Sequence, residues 1–278
     1  MTTGTMPREG GAVRPLANVR VFVAGGTGNV GRELVSALIA AGATTAVSSR
    51  SAAKLAALRA HVGGSTSEAA AERLVTIDGD VADTADSSRV LSVALERLGG
   101  LEAAVASLGT FVPTESLLAA ATTDLRRVLD SYVLAHHTVA RTLIPALQEQ
   151  AGSYVIINGM LGHGYMFPGA ALVSVAGAAQ AHWARLLMME LEQTNVRANE
   201  VVVYSSFGRP DDDERNRGRV GKSDVTGFVV QLLSAAGAAV RGRSLHLKSG
   251  DVMQVLGAAA GSAMGGDPDD GRQVRRQP

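Results

Sequence analysis

The fold is decided by the stretch Val21-Phe-Val-Ala-Gly-Gly-Thr-Gly-Asn-Val-Gly31, in which an apolar run passes through a glycine-rich turn into a helical pattern. The apolar run predicts a buried strand, and the apolar residues of the range 34–39 recur at helical spacing. Gly25, Gly28 and Gly31 give the spacing G-x-x-G-x-x-G, which lets a backbone approach a pyrophosphate at a helix N-terminus. Any tight strand-to-helix turn favours glycine, so the rest of the chain must decide between these two interpretations.

The composition excludes several classes of protein. With 278 residues, 46% of them apolar, and a mean hydropathy of +0.14, the chain can bury a substantial core. Basic and acidic residues balance at 26 each, so no overall field favours nucleic acid or an anionic membrane. The chain has no cysteine, which excludes disulfides, thiolate catalysis and cysteine-ligated zinc. No stretch is typical of a signal peptide or a transmembrane helix, so we expect a cytoplasmic protein.

Strand and helix patterns alternate along the chain. The predicted strands cover residues 19–23, 44–48, 74–77, 101–106, 154–157, 197–203 and 244–247, and the later helices cover 51–61, 85–98, 123–148, 170–194 and 223–235. This alternation predicts an α/β protein with a single-domain Rossmann fold, a doubly wound parallel sheet of about seven strands with helices on both faces. We expect a flexible leader at 1–17, the domain at 18–256 and a disordered tail at 257–278.

The end of the second strand indicates which dinucleotide the turn would bind. An acidic residue at this place binds the ribose hydroxyls of NAD, whereas an arginine accommodates the 2′-phosphate of NADP. The strand ends in Ser48-Ser-Arg50, and a guanidinium offers a bidentate fork to a phosphate. Arg50 therefore favours NADP(H), although an ordinary surface arginine would leave the preference open. Asp80, at the end of the third strand, could bind the adenine edge.

By these features the chain resembles the short-chain dehydrogenase/reductase family from about Val19 to Leu256. Asp80-Val81 is similar to the family's adenine-binding Asp-Val, and Val196-Arg-Ala-Asn199 resembles the lead-in to its sixth strand. The glycine spacing differs from the family's commonest form, since Asn29 stands where the middle glycine would be. The resemblance implies NADP(H) as the cofactor, with a binding site made by Gly25, Thr27, Gly28, Asn29, Val30, Gly31, Arg50, Asp80, Val81, Ser107 and Gly109.

The same resemblance locates the family's catalytic positions. As the resemblance implies, hydride transfer in the family uses a tyrosine acid, a lysine four residues later, a serine on strand five and an asparagine on the preceding helix. Aligning the segment 168–179 puts Val173 at the tyrosine and Gly177 at the lysine. Met160 then stands at the serine and Tyr132 at the asparagine. All four are replaced, so we do not expect ketone reduction through the standard site.

Three hypotheses for the function follow. In the first, which fold analogy ranks highest, the protein is an NADP-linked oxidoreductase with a relocated acid. The candidates are His163 and Tyr165, in the loop after strand five, with Tyr204 and Tyr132 nearby. In the second, the scaffold performs a non-redox elimination or cyclisation on an apolar small molecule, in a pocket lined by Met160, Met166, Phe167 and Val173. In the third, the protein is a cofactor-loaded sensor or a partner subunit.

Three other features have simpler interpretations. The charged run Asp211–Arg219 predicts a solvated loop or, on the ligand side of the sheet, a mobile lid. His136 and His137 are adjacent on a helix, where neighbouring side chains diverge by about 100°, so we expect no metal site. Trp183 and its apolar neighbours on the longest helix predict a packing surface, and the resemblance implies a homodimer or homotetramer.

Overall fold

The computed structural model describes residues 14–114, 116–167, 169–205, 219–248 and 252–261. Its strands are β1 (Arg20–Ala24), β2 (Thr44–Ser49), β3 (Leu74–Asp78), β4 (Ala103–Ala106), β5 (Ser153–Gly159), β6 (Arg197–Val203) and β7 (Ser244–Leu247). They form one parallel sheet in the order β3-β2-β1-β4-β5-β6-β7. This order confirms the predicted single-domain Rossmann fold.

Helices cover both faces of the sheet. They are α1 (Asn29–Ala40), α2 (Ala52–Ser65), α3 (Glu68–Ala71), α4 (Ser87–Leu98), α5 (Thr122–Leu129), α6 (Ala135–Glu149), α7 (Ala171–Glu190), α8 (Lys222–Leu233) and α9 (Val252–Gly261). The apolar sides of α1, α2 and α8 pack on one face, and those of α4, α6 and α7 pack on the other. Each of these six helices thus buries an apolar stripe against the sheet.

The region 123–148, predicted as one long helix, consists of three parts. Between α5 and α6 lies a π-helical turn, Asp130–Leu134. Such turns are rare and are often found at functional sites. Tyr132 lies in this turn with its ring against Gly109, where an added Cβ would come within 2.7 Å of the Tyr132 Cζ. The π turn therefore places an aromatic ring over the segment that follows β4.

The crevice for a ligand lies where the strand order reverses, between β1 and β4. In doubly wound sheets ligands bind at the carboxyl ends of the strands at this point. β1 leads there into the glycine turn at Gly25, and β4 leads into Ser107, whose N–H donates a hydrogen bond to the carbonyl of Ala24. The fold thus brings together both segments that the sequence assigned to the cofactor.

At both ends, the folded part of the described chain extends beyond the predicted domain limits, residues 18 and 256. Leu16 is fully buried, and its N–H donates to the carbonyl of Ala41. Helix α9 continues to Gly261, beyond the predicted end at residue 256. Residues 1–13 and 262–278 lie outside the described residues, as does nearly all of the predicted lid at 211–219. Within the described ranges, no helix is long and apolar enough to cross a membrane.

Candidate functional site

The glycine turn is shaped by two close backbone approaches. Gly25 has a φ of +78°, and a Cβ there would lie 2.1 Å from the carbonyl oxygen of Ser107. A Cβ at Gly31 would lie 2.1 Å from the carbonyl oxygen of Gly25. Both positions therefore exclude any side chain, because the turn packs on the end of β4 and α1 packs on the turn. Gly28 is less crowded, and α1 begins immediately after it.

Beside this turn lies a cleft of about 230 Å³. It joins the turn to the end of β2 and to the segment after β3, and it is lined by Gly25, Thr27, Ser48, Ser49, Arg50, Ser51, Lys54, Asp80, Val81 and Leu108. The structure thus brings together three separate parts of the predicted cofactor site. Lys54 was missed by the sequence analysis. Ser51 is the sequence signal that could have located this lysine. The Ser51 Oγ accepts the Lys54 N–H and so caps α2, and this cap places Lys54 about one helical turn after Arg50.

An exposed ion pair crosses the cleft. Arg50 Nε lies 3.3 Å from Asp80 Oδ2, and the Arg50 side chain is 77% exposed. Exposed pairs of this kind contribute at most about 1 kcal/mol, so a phosphate can compete with Asp80 for the guanidinium. Asp80 also accepts the N–H of Ala82 at 2.9 Å, which holds its carboxylate in place. A second groove, of about 540 Å³, shares Arg50 and Asp80 and is also lined by Arg126 and Arg127.

The position of the family tyrosine lies in a closed apolar cluster. Val173 is 4% exposed and packs with Val128, Leu172 and Ala176, with Tyr132 and Leu161 against them. The predicted apolar pocket is therefore wrong. Val173 is sealed by its neighbours, whereas Met166 and Phe167 are 87% and 55% exposed.

The position of the family lysine is also closed. The 3₁₀ turn Met160–Gly162, which follows β5, lies directly on α7. A Cβ added at Gly177 would come within 3.1 Å of the Gly162 Cα, and one at Gly162 would come within 2.6 Å of the Gly177 carbonyl oxygen. Asn158 Nδ2 donates to that same carbonyl at 3.3 Å. The loop after β5 thus occupies the space in front of Gly177.

The loop then carries His163 into a buried polar cluster. His163 Nε2 lies 3.0 Å from Oε1 of Glu200, and the two side chains are 9% and 0% exposed. Asn158 Nδ2 also donates to Oε1, at 2.9 Å, and Ser244 Oγ donates to Oε2 at 2.6 Å. Burial raises the pKa of the Glu200 carboxyl, but the hydrogen bonds from His163, Ser244 and Asn158 outweigh it and leave the pKa below its ordinary value.

A second pair of side chains adjoins this cluster. The rings of His163 and His246 meet edge to face, with centroids 4.8 Å apart. His246 Nδ1 lies 3.0 Å from the hydroxyl of Tyr204, the residue after β6. Burial lowers the pKa of His246, as does the positive charge of its neighbours, against the opposing effect of Glu200. Tyr165 stays outside, 46% exposed, with the Arg219 guanidinium 6.0 Å from its ring centroid.

Glu200 and His246 are therefore site residues that the sequence analysis missed. No motif marks either of them. The available signal was Glu200 itself, a carboxylate among the apolar residues of β6 with an asparagine before it and valines after it. A charge at a buried strand position implies hydrogen-bonding partners nearby.

His136 takes no part in this cluster. It is fully buried, its Nε2 lies 3.0 Å from Nε2 of Gln180, and burial lowers its pKa to about 4. His136 is therefore neutral at physiological pH. Over the part of the chain that the structure describes, no three His, Cys, Asp or Glu side chains are grouped so that they could hold a metal ion.

Comparison with known proteins gives a consistent result. A family model described as short chain dehydrogenase matches residues 19–205. A 3-phenylpropionate-dihydrodiol/cinnamic acid-dihydrodiol dehydrogenase from Escherichia coli O7:K1 is 29% identical over 192 residues, 67% of each chain. An L-fucose dehydrogenase from Mus musculus is 25% identical over 179 residues, which are 64% of this chain and 62% of that protein.

Solved structures show the same fold. A short-chain type dehydrogenase/reductase from Mycobacterium marinum superposes with a TM-score of 0.74 at 23% identity, covering 86% of this chain and 97% of that one. The NADP active-site complex of RhlG from Pseudomonas aeruginosa gives a TM-score of 0.73 at 19% identity, covering 86% and 98%. At these identities the likeness is one of fold.

Proposed function

The chain belongs to the short-chain dehydrogenase family, and from that premise we propose that it binds NADP(H) in the cleft between the glycine turn and Arg50. The observation that carries this proposal is the composition of the cleft. Arg50 and Lys54 provide two cations, and Ser49 and Ser51 provide two hydroxyls, all among the residues that line the cleft. This donor set suits the dianionic phosphate of NADP, because charge-assisted and bidentate hydrogen bonds to phosphate are the strong ones.

The remainder of the cleft fits the rest of the dinucleotide. Its floor is the glycine turn at Gly25, followed by the N-terminus of α1, where free N–H groups and the helix dipole favour a pyrophosphate. Asp80 and Val81 also line the cleft, and we assign the Asp80 carboxylate to the adenine edge; the Val81 N–H donates to Ser48 Oγ at 3.4 Å. Thr27, Asn29, Val30, Ser107 and Gly109 complete the site as we propose it.

Bound NADPH would supply a hydride, so the protein itself must supply the accompanying proton. Val173 and Gly177, at the family's tyrosine and lysine positions, carry no ionisable group, and both positions are closed by packing. We therefore propose an NADP-linked oxidoreductase whose proton donor lies elsewhere. Proton donation of this kind typically contributes 10²–10⁴-fold to a rate, so the relocated group is essential to the hypothesis.

One observation favours a second candidate, a cofactor-binding sensor or partner subunit. The closure of the family's catalytic positions leaves the cofactor cleft unaffected, since the two are lined by different residues. Addition of cell extract to the NADPH-loaded protein separates the two candidates. Loss of the reduced-nicotinamide absorbance supports the enzyme, and persistence of the absorbance supports the sensor.

The test of cofactor binding is a fluorescence titration with NADPH and with NADH. We expect Arg50→Ala to raise the Kd for NADPH at least tenfold, about 1.4 kcal/mol, and to leave the Kd for NADH within twofold. Lys54→Ala should act in the same direction. Arg141→Ala, which removes an exposed arginine on α6, is the matched control and should change neither Kd. Equal affinities of the wild type for NADPH and NADH would contradict the proposed role of Arg50.

A further inference from the structure

We propose that Tyr204 and His246 are the proton-donating pair of this protein, and that Glu200 and His163 are positioning residues that hold the pair at the carboxyl ends of β6 and β7. The substrate class is a carbonyl compound. This inference rests on the proposed function, since it requires NADPH as the hydride source.

The geometry of the pair is that of an acid with a proton source behind it. The Tyr204 hydroxyl lies 3.0 Å from His246 Nδ1, within the range of a direct hydrogen bond. Tyr204 directly continues β6, and its N–H donates to the Leu247 carbonyl, so its backbone is fixed by the sheet. His246 lies on β7 opposite Val202. His246 thus lies on a strand and Tyr204 is hydrogen-bonded to the sheet directly after one, and such positions hold a site more rigidly than free loops do.

The buried pair behind them restrains the His246 ring. Glu200 is fully buried and accepts hydrogen bonds from three donors, one of them His163 Nε2. The His163 ring is thereby fixed, and it meets the His246 ring edge to face at 84°. A carboxylate that orients a histidine through one ring nitrogen is the arrangement used in many proton-transfer sites. Here Glu200 orients His163 through that hydrogen bond, and the His163 ring in turn packs against the His246 ring.

The pair lies on the side of the sheet where the far end of the dinucleotide is expected. Arg50 follows β2 on one side of β1, whereas β6 lies three strands away from β1 on the other side. With strands about 4.8 Å apart, that distance is about 14 Å. A dinucleotide whose 2′-phosphate binds at Arg50 and whose pyrophosphate binds at the glycine turn extends in this direction. Tyr204 is also half-buried, so part of its surface stays accessible to a ligand.

The charges around Tyr204 suit proton donation. Lys248 Nζ lies 5.5 Å from the centroid of the Tyr204 ring, so a cation packs beside this phenol. Burial raises the pKa of Tyr204, so the phenol keeps its proton until a substrate takes it. The other titratable or charged groups that act on His246 are His163, Glu200 and Arg185.

The proton balance of the step is complete. Bound NADPH would supply a hydride to the carbonyl carbon, and the π electron pair would move to the carbonyl oxygen. That oxygen takes the phenolic proton of Tyr204, which gives an alcohol. The Tyr204 phenolate then takes the Nδ1 proton of His246 while Nε2 of the same ring takes a proton from solvent, so the imidazole stays neutral, and exchange with solvent returns it to the Nδ1-protonated form.

The first test measures turnover of NADPH with three carbonyl probes: benzaldehyde, acetophenone and 9,10-phenanthrenequinone. We expect Tyr204→Phe and His246→Gln each to lower kcat at least 100-fold, with the NADPH Kd within twofold of wild type. Tyr154→Phe and His182→Gln are the matched controls, since Tyr154 is fully buried in β5 and His182 is exposed on α7. Both should keep wild-type kcat.

The second test does not depend on turnover. In long-range ¹H–¹⁵N spectra of the NADP⁺-bound protein, we expect His246 to carry its proton on Nδ1, where it can be donated to Tyr204. Tyr204→Phe should change the shift of that nitrogen. Glu200→Gln should broaden or shift the His246 signals, and it should lower kcat without raising KM. If Glu200 had only a structural role, the substitution would change the stability of the protein and neither of these readouts.

The outcomes separate this inference from the proposed function. A wild type that fails to bind NADPH overturns the proposed function. A wild type that binds NADPH but reduces none of the three probes overturns the proton-donating pair, as does full activity of Tyr204→Phe. An unprotonated Nδ1 of His246 in the NADP⁺-bound protein also overturns it.

Discussion

His163 Nε2 lies 3.0 Å from the fully buried Oε1 of Glu200, so the loop after β5 is tied by a hydrogen bond to the middle of β6. A buried carboxylate is costly unless hydrogen bonds replace its water. Glu200 receives such bonds from Asn158 and Ser244 as well, which lie on the neighbouring strands β5 and β7. One side chain thus joins three strands and a loop on a single face of the sheet.

We predict that Glu200→Gln destabilises the protein by about 1–2 kcal/mol at pH 7. The amide keeps the size of the carboxylate and can still accept from His163, but hydrogen bonds to a charged group are about twice as strong as neutral ones. Chemical denaturation in urea measures the difference. Glu190→Gln, at an exposed position at the end of α7, is the control, since it makes the same change of charge without loss of these hydrogen bonds.

The destabilisation by Glu200→Gln should depend on pH. The pKa of Glu200 is lower in the folded protein than in the unfolded chain, so its charge stabilises the fold above the unfolded pKa of about 4.3. That contribution is lost as the pH falls through the lower, folded pKa. The difference in unfolding free energy between wild type and variant should therefore be largest at pH 7 and become smaller in acid. If this difference became larger in acid, the pKa of Glu200 would be raised in the folded protein, which would contradict the prediction.

A second prediction concerns Tyr154, which is fully buried in β5. Its hydroxyl has no hydrogen-bond partner among the described residues, and a buried hydroxyl without a partner costs about 1–3 kcal/mol. We expect Tyr154→Phe to raise the unfolding free energy by about 1 kcal/mol, because the ring keeps its packing. Tyr154→Leu, which removes ring volume, should instead lower it. A loss of stability in Tyr154→Phe would indicate a bound water on the hydroxyl.

The sequence was sufficient for the fold and for much of the proposed cofactor cleft. Strand and helix periods are local, so the seven strands follow from short stretches of chain. Gly25, Arg50 and Asp80 each end or follow a strand, and parallel strands bring their carboxyl ends to one edge of the sheet. Local order along the chain thus predicts proximity in space, and the structure does place these residues around one cleft.

The polar cluster could not be predicted in the same way. Glu200, His163 and His246 are brought together by the register of β6 with β7 and by the path of a loop, neither of which has a local signature. The predicted apolar pocket failed for a related reason. Loss of the tyrosine and lysine suggested empty space, but Val173 packs into the neighbouring apolar side chains and the backbone of Gly162 approaches Gly177. Protein interiors close such gaps by packing.

A third prediction separates structural glycines from a ligand-facing one. Gly25→Ala should destabilise the fold by about 3 kcal/mol or more, because it combines a left-handed φ with a Cβ 2.1 Å from the Ser107 carbonyl oxygen. Gly28→Ala meets only the Gly25 carbonyl oxygen, at 3.2 Å. Gly28→Ala should therefore lower the unfolding free energy less than Gly25→Ala does. Its effect on the free energy of NADPH binding should be larger than its effect on the free energy of unfolding. Thermal unfolding with and without NADPH measures both effects.

The last prediction concerns restoring the family's tyrosine and lysine. We expect the double variant Val173→Tyr, Gly177→Lys to gain no carbonyl reductase activity and to lose stability. The new lysine Cβ would come within 3.1 Å of the Gly162 Cα, and neither backbone can yield without moving the turn after β5. That turn leads into His163, so the change would also disturb its hydrogen bond to Glu200.

The single variants show which packing contact is responsible. Gly177→Ala alone introduces the same Cβ and should lower the unfolding free energy by about 1–3 kcal/mol, the usual cost of overpacking. Val173→Tyr alone inserts a ring among Val128, Leu172 and Ala176 and should cost a similar amount. A stable variant that combines both substitutions with Tyr204→Phe and still reduces 9,10-phenanthrenequinone with NADPH, where Tyr204→Phe alone does not, would contradict this prediction and show that the closed positions can reopen.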